Sequence, residues 1–311
     1  MNKIENITIL GAGTIGMSWA ALFLATRRKV CVYDPATDIK ATMLRFIEET
    51  APTLQALGWE LAGNIDLLSF NDDPADAVNG ADFIQESIPE RIGLKHSLYQ
   101  AIENNLGADT IVATSTSGLQ LSALQKGFKD PSKLILAHPF NPPHLIPLVE
   151  LMINEHSNKQ HLVTAESFYQ SIGKQTIRLN KEVAGHIANR LQAALWRESI
   201  HLLKEGVASL EDIDKAVAYG PGLRWAALGP SSLFHLGGGE KGIAGFCEHI
   251  GPPMQTWWDD LGDASFDEGT VQLLVDGIAD ITKSTSTEQL KIKRDKLVLA
   301  FIQDINNLPE D

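Results

Sequence analysis

The first half of the chain alternates short aliphatic runs with stretches of helical spacing. The runs are Ile7 to Leu10, Val30 to Tyr33, Leu67 to Phe70, Asp82 to Ile84, Ile111 to Ala113, Leu134 to Ala137, Leu148 to Ile153 and Gln175 to Leu179. Runs of this length suit strands buried on both faces, and the stretches between them, such as Ser18 to Thr26 and Leu94 to Asn104, suit crossover helices. The pattern predicts an α/β doubly wound domain over residues 1–183, with a parallel sheet covered on both faces. Beyond it no further strand is indicated. Gly185 to Gly206 reads as one long helix, with Ile187, Leu191, Leu195 and Leu202 on one face and Gly206 as its stop. Ser209, with Asp212 three positions on, starts another helix that Gly220-Pro221-Gly222 closes. Residues 184–311 are therefore expected to form an all-helical C-terminal domain.

Composition narrows the classes of function. With 311 residues, 44% of them hydrophobic, the chain can bury its cores without a disulfide or metal staple. Cys31 and Cys247 are far apart and form no paired motif, which suits a reducing, cytoplasmic setting; Cys31, inside a strand, is expected to be a buried, inert thiol. The opening MNKIENITIL leads directly into a strand and does not resemble a secretory signal. No stretch approaches the roughly 18 apolar residues of a membrane span. A formal charge of −13 disfavours nucleic acid as a partner. The histidines lack metal-ligand spacing, so no metal is expected. Trp19, Trp59 and Trp196 are read as core or interface residues.

Two local patterns carry chemistry. Gly11-Ala12-Gly13-Thr14-Ile15-Gly16 lies between the first strand and the first helix. The first glycine allows the tight turn, the second lets the backbone approach a pyrophosphate, and the third lets helix pack on strand. Asp34, 18 residues beyond Gly16 and at the end of the second strand, suits the adenosine ribose hydroxyls and repels a 2′-phosphate, which favours NAD over NADP. The second pattern is His138-Pro139-Phe140-Asn141-Pro142-Pro143, after the strand ending at Ala137, with Glu150 twelve residues beyond His138. A carboxylate on one imidazole nitrogen fixes the tautomer and stabilises the imidazolium formed when the other nitrogen takes a proton. His186 either lines the same site or begins a helix.

Together GAGTIG, STSG at 115–118, HPFNPP at 138–143, LVE at 148–150 and GHIANR at 185–190 resemble the 3-hydroxyacyl-CoA dehydrogenase family across nearly the whole chain. The resemblance implies a Rossmann domain followed by a helical domain that forms a homodimer interface. It also implies His138 as base with Glu150 as its partner, Ser117 and Asn189 bonded to substrate oxygen or nicotinamide, and Asn141 in support. Glu90 and Lys95, in PERIGLK, match positions lining the cofactor site. His144 departs from the tyrosine expected there.

The segments at 219–243 and 251–262 are similar to a branch of the family that oxidises the 3-hydroxyl of L-carnitine. A quaternary ammonium offers no hydrogen, so aromatic faces must hold it. Trp225, Phe234, Phe246, Trp257 and Trp258, with Phe140, are the aromatics from which that box is expected, although each is also an ordinary core or subunit-contact residue type. Arg224 is the candidate for the carboxylate, with Lys181 and Arg190 as alternatives. L-Gulonate or a 3-hydroxyacyl-CoA remain other substrates, and a non-catalytic NAD-binding role a third possibility.

Overall fold

All eight aliphatic runs form strands. They are β1 (Asn6–Leu10), β2 (Lys29–Tyr33), β3 (Leu68–Phe70), β4 (Phe83–Glu86), β5 (Ile111–Thr114), β6 (Leu134–Pro139), β7 (Leu148–Met152) and β8 (Gln175–Arg178). The structure, a computed structural model, describes residues 3–61 and 63–308. The strands make one sheet in the order β3-β2-β1-β4-β5-β6-β7-β8. Helices α1 (Thr14–Ala25), α2 (Ile39–Ala56), α3 (Pro74–Ala77), α4 (Ile92–Ile102), α5 (Leu121–Gln125) and α6 (Lys159–Ser171) connect them. One face of the sheet buries Trp19 and Phe23 of α1, Met43 and Ile47 of α2 and Phe168 of α6. The other buries Val78, Leu98 and Tyr99, with Leu121 and Leu124. Each such side chain contributes roughly 1.5–3 kcal/mol of burial, and helices on both faces explain why the strands read as continuous apolar runs.

The sheet is not wholly parallel. β1 to β6 run the same way, but β6 pairs antiparallel with β7, and β8 then runs parallel to β7. The reason is chain length. Only residues 140–147 join β6 to β7, too few for a crossover, which needs about a dozen or more residues. The chain must turn straight back.

The contacts divide the chain after Ala188. The second unit is all helical: α7 (Ala188–Lys204), α8 (Leu210–Tyr219), α9 (Pro221–Ala227), α10 (Pro230–Gly237), α11 (Ile243–Asp260), α12 (Glu268–Thr282) and α13 (Thr287–Asn307). Gly206 adopts φ 67°, and the N–H of Val207 reaches the carbonyl of Leu202, so α7 stops where expected. It starts later than the apolar spacing suggests, because Gly185 and His186 are left-handed, at φ 74° and 52°. Ser209 caps α8 by accepting the N–H of Asp212. Among the described residues, no helix is long and apolar enough to cross a membrane. Cys31 is half-buried rather than buried, because β2 lies next to the short edge strand β3.

The return loop between β6 and β7 is held at two points. Ser18 of α1 accepts the N–H of His144, its hydroxyl is hydrogen-bonded to Nδ1 of the same residue, both at 2.8 Å, and the His144 ring stands edge-on to Phe46. Lys174, buried in the turn before β8, donates through Nζ to the carbonyls of Pro143 and Ile146, and lies 5.4 Å from the centre of the Trp19 ring. Burial pushes its ammonium down from 10.5 to about 7. Between those values the unfolded chain holds a proton that the native chain has released, so unfolding takes up a proton and raising the pH opposes it. The wild type should therefore gain about 2–4 kcal/mol over Lys174→Met between pH 7 and pH 10, read by urea unfolding. A stability gap that stays constant across that range would place the lysine's titration elsewhere.

Candidate active site

β1 and β4 flank the point where the strand order reverses, and the crevice beyond their carboxyl ends is where open α/β sheets take ligands. The glycines of the β1–α1 turn divide their work. Gly11 adopts φ 88°, and a Cβ there would meet Ile88 at 2.8 Å. A Cβ on Gly16 would lie 1.9 Å from the carbonyl oxygen of Gly11, so both are required for packing. A Cβ on Gly13 would meet nothing within 4 Å. Gly13 therefore borders open space at the start of α1, a helix with no side-chain cap and no acid in its first turn. Unclaimed N–H groups of Thr14 and Ile15 beside that space fit a pyrophosphate. Asp34, just beyond β2, accepts the N–H of Ala12 at 2.7 Å and of Ala36 at 2.9 Å, and borders a cleft of about 450 Å³ with Pro35, Ile39 and Phe70. Carboxylate, cleft and uncapped helix together fit an adenine dinucleotide.

Glu90 and Lys95 lie at this edge within a buried polar network. Lys95 is 1% exposed, and its Nζ is bound to Glu86 at 2.6 Å and lies 3.7 Å from Glu90. Glu86, wholly buried at the end of β4, also accepts from Tyr99 and Thr114, both at 2.7 Å, and from the N–H of Ile88. The lysine thus neutralises a buried acid at the edge expected to line the cofactor site. Oε1 of Glu90 gathers the loop after β5, accepting the N–H groups of Ser117, Gly118 and Leu119 and the hydroxyl of Thr116. Burial would raise the Glu90 carboxyl, but these bonds and Lys95 hold it below the usual range. Ser117 is left exposed on the loop that Glu90 shapes.

The antiparallel pairing of β6 with β7 sets His138 directly opposite Glu150. Residues opposite one another share a face, and Nδ1 of His138 lies 2.8 Å from Oε2 of Glu150. The other oxygen of Glu150 accepts the N–H groups of Ile187 at 2.9 Å and Ala188 at 3.1 Å. Burial favours the neutral acid, but the bonds from His138, Ala188 and Ile187 outweigh it and hold Glu150 below the ordinary carboxylate range. An ionised Glu150 can only accept, so Nδ1 carries the hydrogen and Nε2 is the nitrogen able to take a proton. His186, which the sequence left between two readings, is brought alongside. Its ring centre is 4.9 Å from that of His138, and its Nε2 lies 3.0 Å from the carbonyl of Thr116. Ser117, His138 and Glu150 are thus linked through Thr116 and His186. Phe140 and Asn141 follow on the return loop, half-buried and exposed respectively.

The remaining candidates lie in the second unit. Asn189 is its first residue and the second of α7. Arg224 and Trp225 are on α9, and Phe234, on α10, stacks on Phe246 at 4.5 Å between ring centres. Trp257 and Trp258, at the end of α11, are 56% and 61% exposed. Among the described residues neither of these two tryptophans makes a ring–ring contact, so the unit does not gather its aromatics into one cluster. Glu86 and Lys174 belong to no motif in the sequence, and Thr116 only to STSG; the one signal for Glu86 is the polar pair Gln85-Glu86 inside an otherwise apolar strand.

Known proteins agree with this architecture. The profile described as 3-hydroxyacyl-CoA dehydrogenase, NAD binding domain, matches residues 6–183, and that of the C-terminal domain matches 185–272. The chain is 39% identical to L-carnitine dehydrogenase of Bacillus cereus over 302 residues, covering 97% of this chain and 93% of the relative. It is 38% identical to L-carnitine dehydrogenase of Streptomyces coelicolor over 310 residues, covering 99% and 98%. The crystal structure of 5-formyl-3-hydroxy-2-methylpyridine 4-carboxylic acid 5-dehydrogenase, an NAD+-dependent dismutase, superposes with a TM-score of 0.83 at 29% identity, covering 99% of this chain and 100% of that one. With profile matches spanning both units and a turn shaped for a dinucleotide, the chain belongs to the 3-hydroxyacyl-CoA dehydrogenase family, as an NAD-dependent dehydrogenase of 3-hydroxy acids.

Proposed function

We propose that the chain oxidises the 3-hydroxyl of L-carnitine to 3-dehydrocarnitine, with His138 as general base and Glu150 as its partner. The observation that carries the mechanism is the 2.8 Å bond between His138 and a buried Glu150 whose other oxygen is already satisfied by backbone. NAD+ supplies the acceptor for the hydrogen that leaves C3 with its bonding electrons. Nε2 of His138 takes the hydroxyl proton, and Glu150 stabilises the imidazolium, help worth roughly 10²- to 10⁴-fold. Ser117 and Asn189 hydrogen-bond the substrate oxygen or the nicotinamide, and Asn141 supports the same loop. Lys95 and Glu90 hold the cofactor edge in shape. The choice of carnitine follows the relatives of that name.

The trimethylammonium needs an aromatic face that protein does not already cover. Trp257 and Trp258 offer exposed faces, Trp225 is 36% exposed, and one face of Phe234 is taken by Phe246. Phe140 is the candidate on the His138 loop, and Arg224 the candidate for the carboxylate. A second copy of the chain is the proposed partner. Among the described residues the helical unit buries only Ile200, Leu210 and Ile213 of its large apolar side chains, while Leu191, Val207 and Leu236 are each about two-thirds exposed. A helical unit without a core of its own needs its apolar faces covered.

Following NADH at 340 nm with L-carnitine, D-carnitine, L-gulonate and 3-hydroxybutyryl-CoA tests the substrate, and turnover is expected with L-carnitine alone. His138→Ala should bind NADH normally and lose at least about 100-fold in kcat, and Glu150→Gln should also lose activity because it disturbs the imidazole's tautomer. A near-normal kcat for His138→Ala would remove that residue from the chemistry. Leucine at Trp225, Trp257 or Trp258 should raise the carnitine KM by about two- to thirtyfold at true cage positions, with the KM for NAD unchanged. If none of the three moves it, the cage lies elsewhere. Sedimentation equilibrium should give twice the chain mass; a monomer at micromolar concentration would reject the homodimer.

A further inference from the structure

His186 has no part in the chemistry above, yet several constraints meet on it. It is 3% exposed and left-handed, at φ 52°, a conformation that residues with side chains adopt only when their surroundings impose it. The Thr116 carbonyl can only accept, so the Nε2 that faces it carries the hydrogen. Burial lowers the imidazole's pKa; the Thr116 bond opposes this, the neighbouring His138 adds to it, and Glu150 and Glu90 oppose it again, with a net result below the ordinary histidine range. The ring is therefore neutral and Nδ1 holds a lone pair. That nitrogen is buried with no partner among the described residues. An unmatched acceptor inside a protein is costly, and this one sits beside the proposed base, where a ligand must come.

We propose that Nδ1 of His186 accepts a hydrogen bond from the carboxamide N–H of the bound nicotinamide, which makes His186 a binding residue beside His138. The proposal rests on the reading of His138 as the base. The single hydroxyl hydrogen of L-carnitine is the one that Nε2 of His138 takes, which leaves the carboxamide as the donor with the right chemistry. A carboxylate and a quaternary ammonium have no hydrogen to give, so neither is the occupant.

Two substitutions separate the ring's nitrogens. In His186→Asn the amide oxygen can occupy the place of Nδ1, and asparagine tolerates the left-handed backbone, but the bond to Thr116 is lost. In His186→Gln the amide reaches Thr116 but leaves the Nδ1 position empty. The readouts are the Kd of NADH by fluorescence, the Kd of the reduced 3-acetylpyridine analogue, which has a methyl in place of the carboxamide nitrogen, and the KM of L-carnitine. His186→Gln should weaken NADH about tenfold, while His186→Asn stays within about threefold of wild type. The wild type's preference for NADH over the analogue should shrink in His186→Gln by the same factor. A rise in the KM of L-carnitine alone would overturn the proposal. Equal binding by all three proteins, equal loss in both variants, or loss in Asn with retention in Gln would each overturn the proposal. NADH binding needs no turnover, so this result is separate from a failure of the carnitine panel or of His138→Ala.

Discussion

A charged carboxylate sealed inside the sheet domain sets the terms for the rest of the site. Removing Glu150 from water costs several kcal/mol, and only well-made hydrogen bonds offset that. The bonds come from three places: the imidazole of His138 across the strand pair, and the backbone of Ile187 and Ala188. Each demands something of the fold. The imidazole needs β7 antiparallel to β6 in a register that a one-residue slip would destroy, because a slip turns the side chain to the other face. The backbone donors need the chain after β8 to come back to the sheet and turn sharply, which the two left-handed residues at 185 and 186 accomplish. The proposed catalytic geometry and the structural satisfaction of a buried charge are here the same set of contacts.

A second buried carboxylate, Glu86, does for the cofactor edge what Glu150 does for the proposed base. Its partners Lys95, Tyr99 and Thr114 tie the ends of β4 and β5 to α4, and Lys95 extends the network to Glu90, which shapes the loop carrying Ser117. Through Thr116 that loop meets His186, and His186 lies against His138. The two acids are therefore joined by a chain of contacts, polar from Glu86 to His186 and a ring contact from His186 to His138. Such networks tolerate little loss, since removing one partner of a buried pair leaves an uncompensated charge worth about 3–5 kcal/mol. Lys174 and Ser18 hold the return loop from the opposite side, so His138 has its strand, loop and acid all fixed before any ligand arrives.

The helical unit follows different rules. Its helices carry sound local signals, including the Ser209 cap and the capping box at Ser286, but most of its large apolar side chains stay on the surface. Local capping specifies where helices start and stop; it does not supply a core. Recognition of a quaternary ammonium requires exposed aromatic faces, and the same exposure would serve a subunit contact. Composition alone cannot separate the two uses, because both need an uncovered ring.

How much was legible in the residues follows from the range of the forces involved. Strand identity, the glycine turn with Asp34, the stops at Gly206 and Gly220 and the all-helical second half depend on near neighbours, and near neighbours are written in order along the chain. The spacing of His138 and Glu150 hinted at a pair, but only the cross-strand register put one opposite the other. The reversal of β7 was legible in principle from the shortness of residues 140–147, whereas the delayed start of α7 was not, since it depends on an acid 37 residues earlier. Lys95 shows the limit most plainly. Its segment marks the cofactor edge, but the ion pair it makes with buried Glu86 appears only in the fold. Burial and pairing are properties of positions brought together from far apart in the chain, so the tertiary structure alone assigns them.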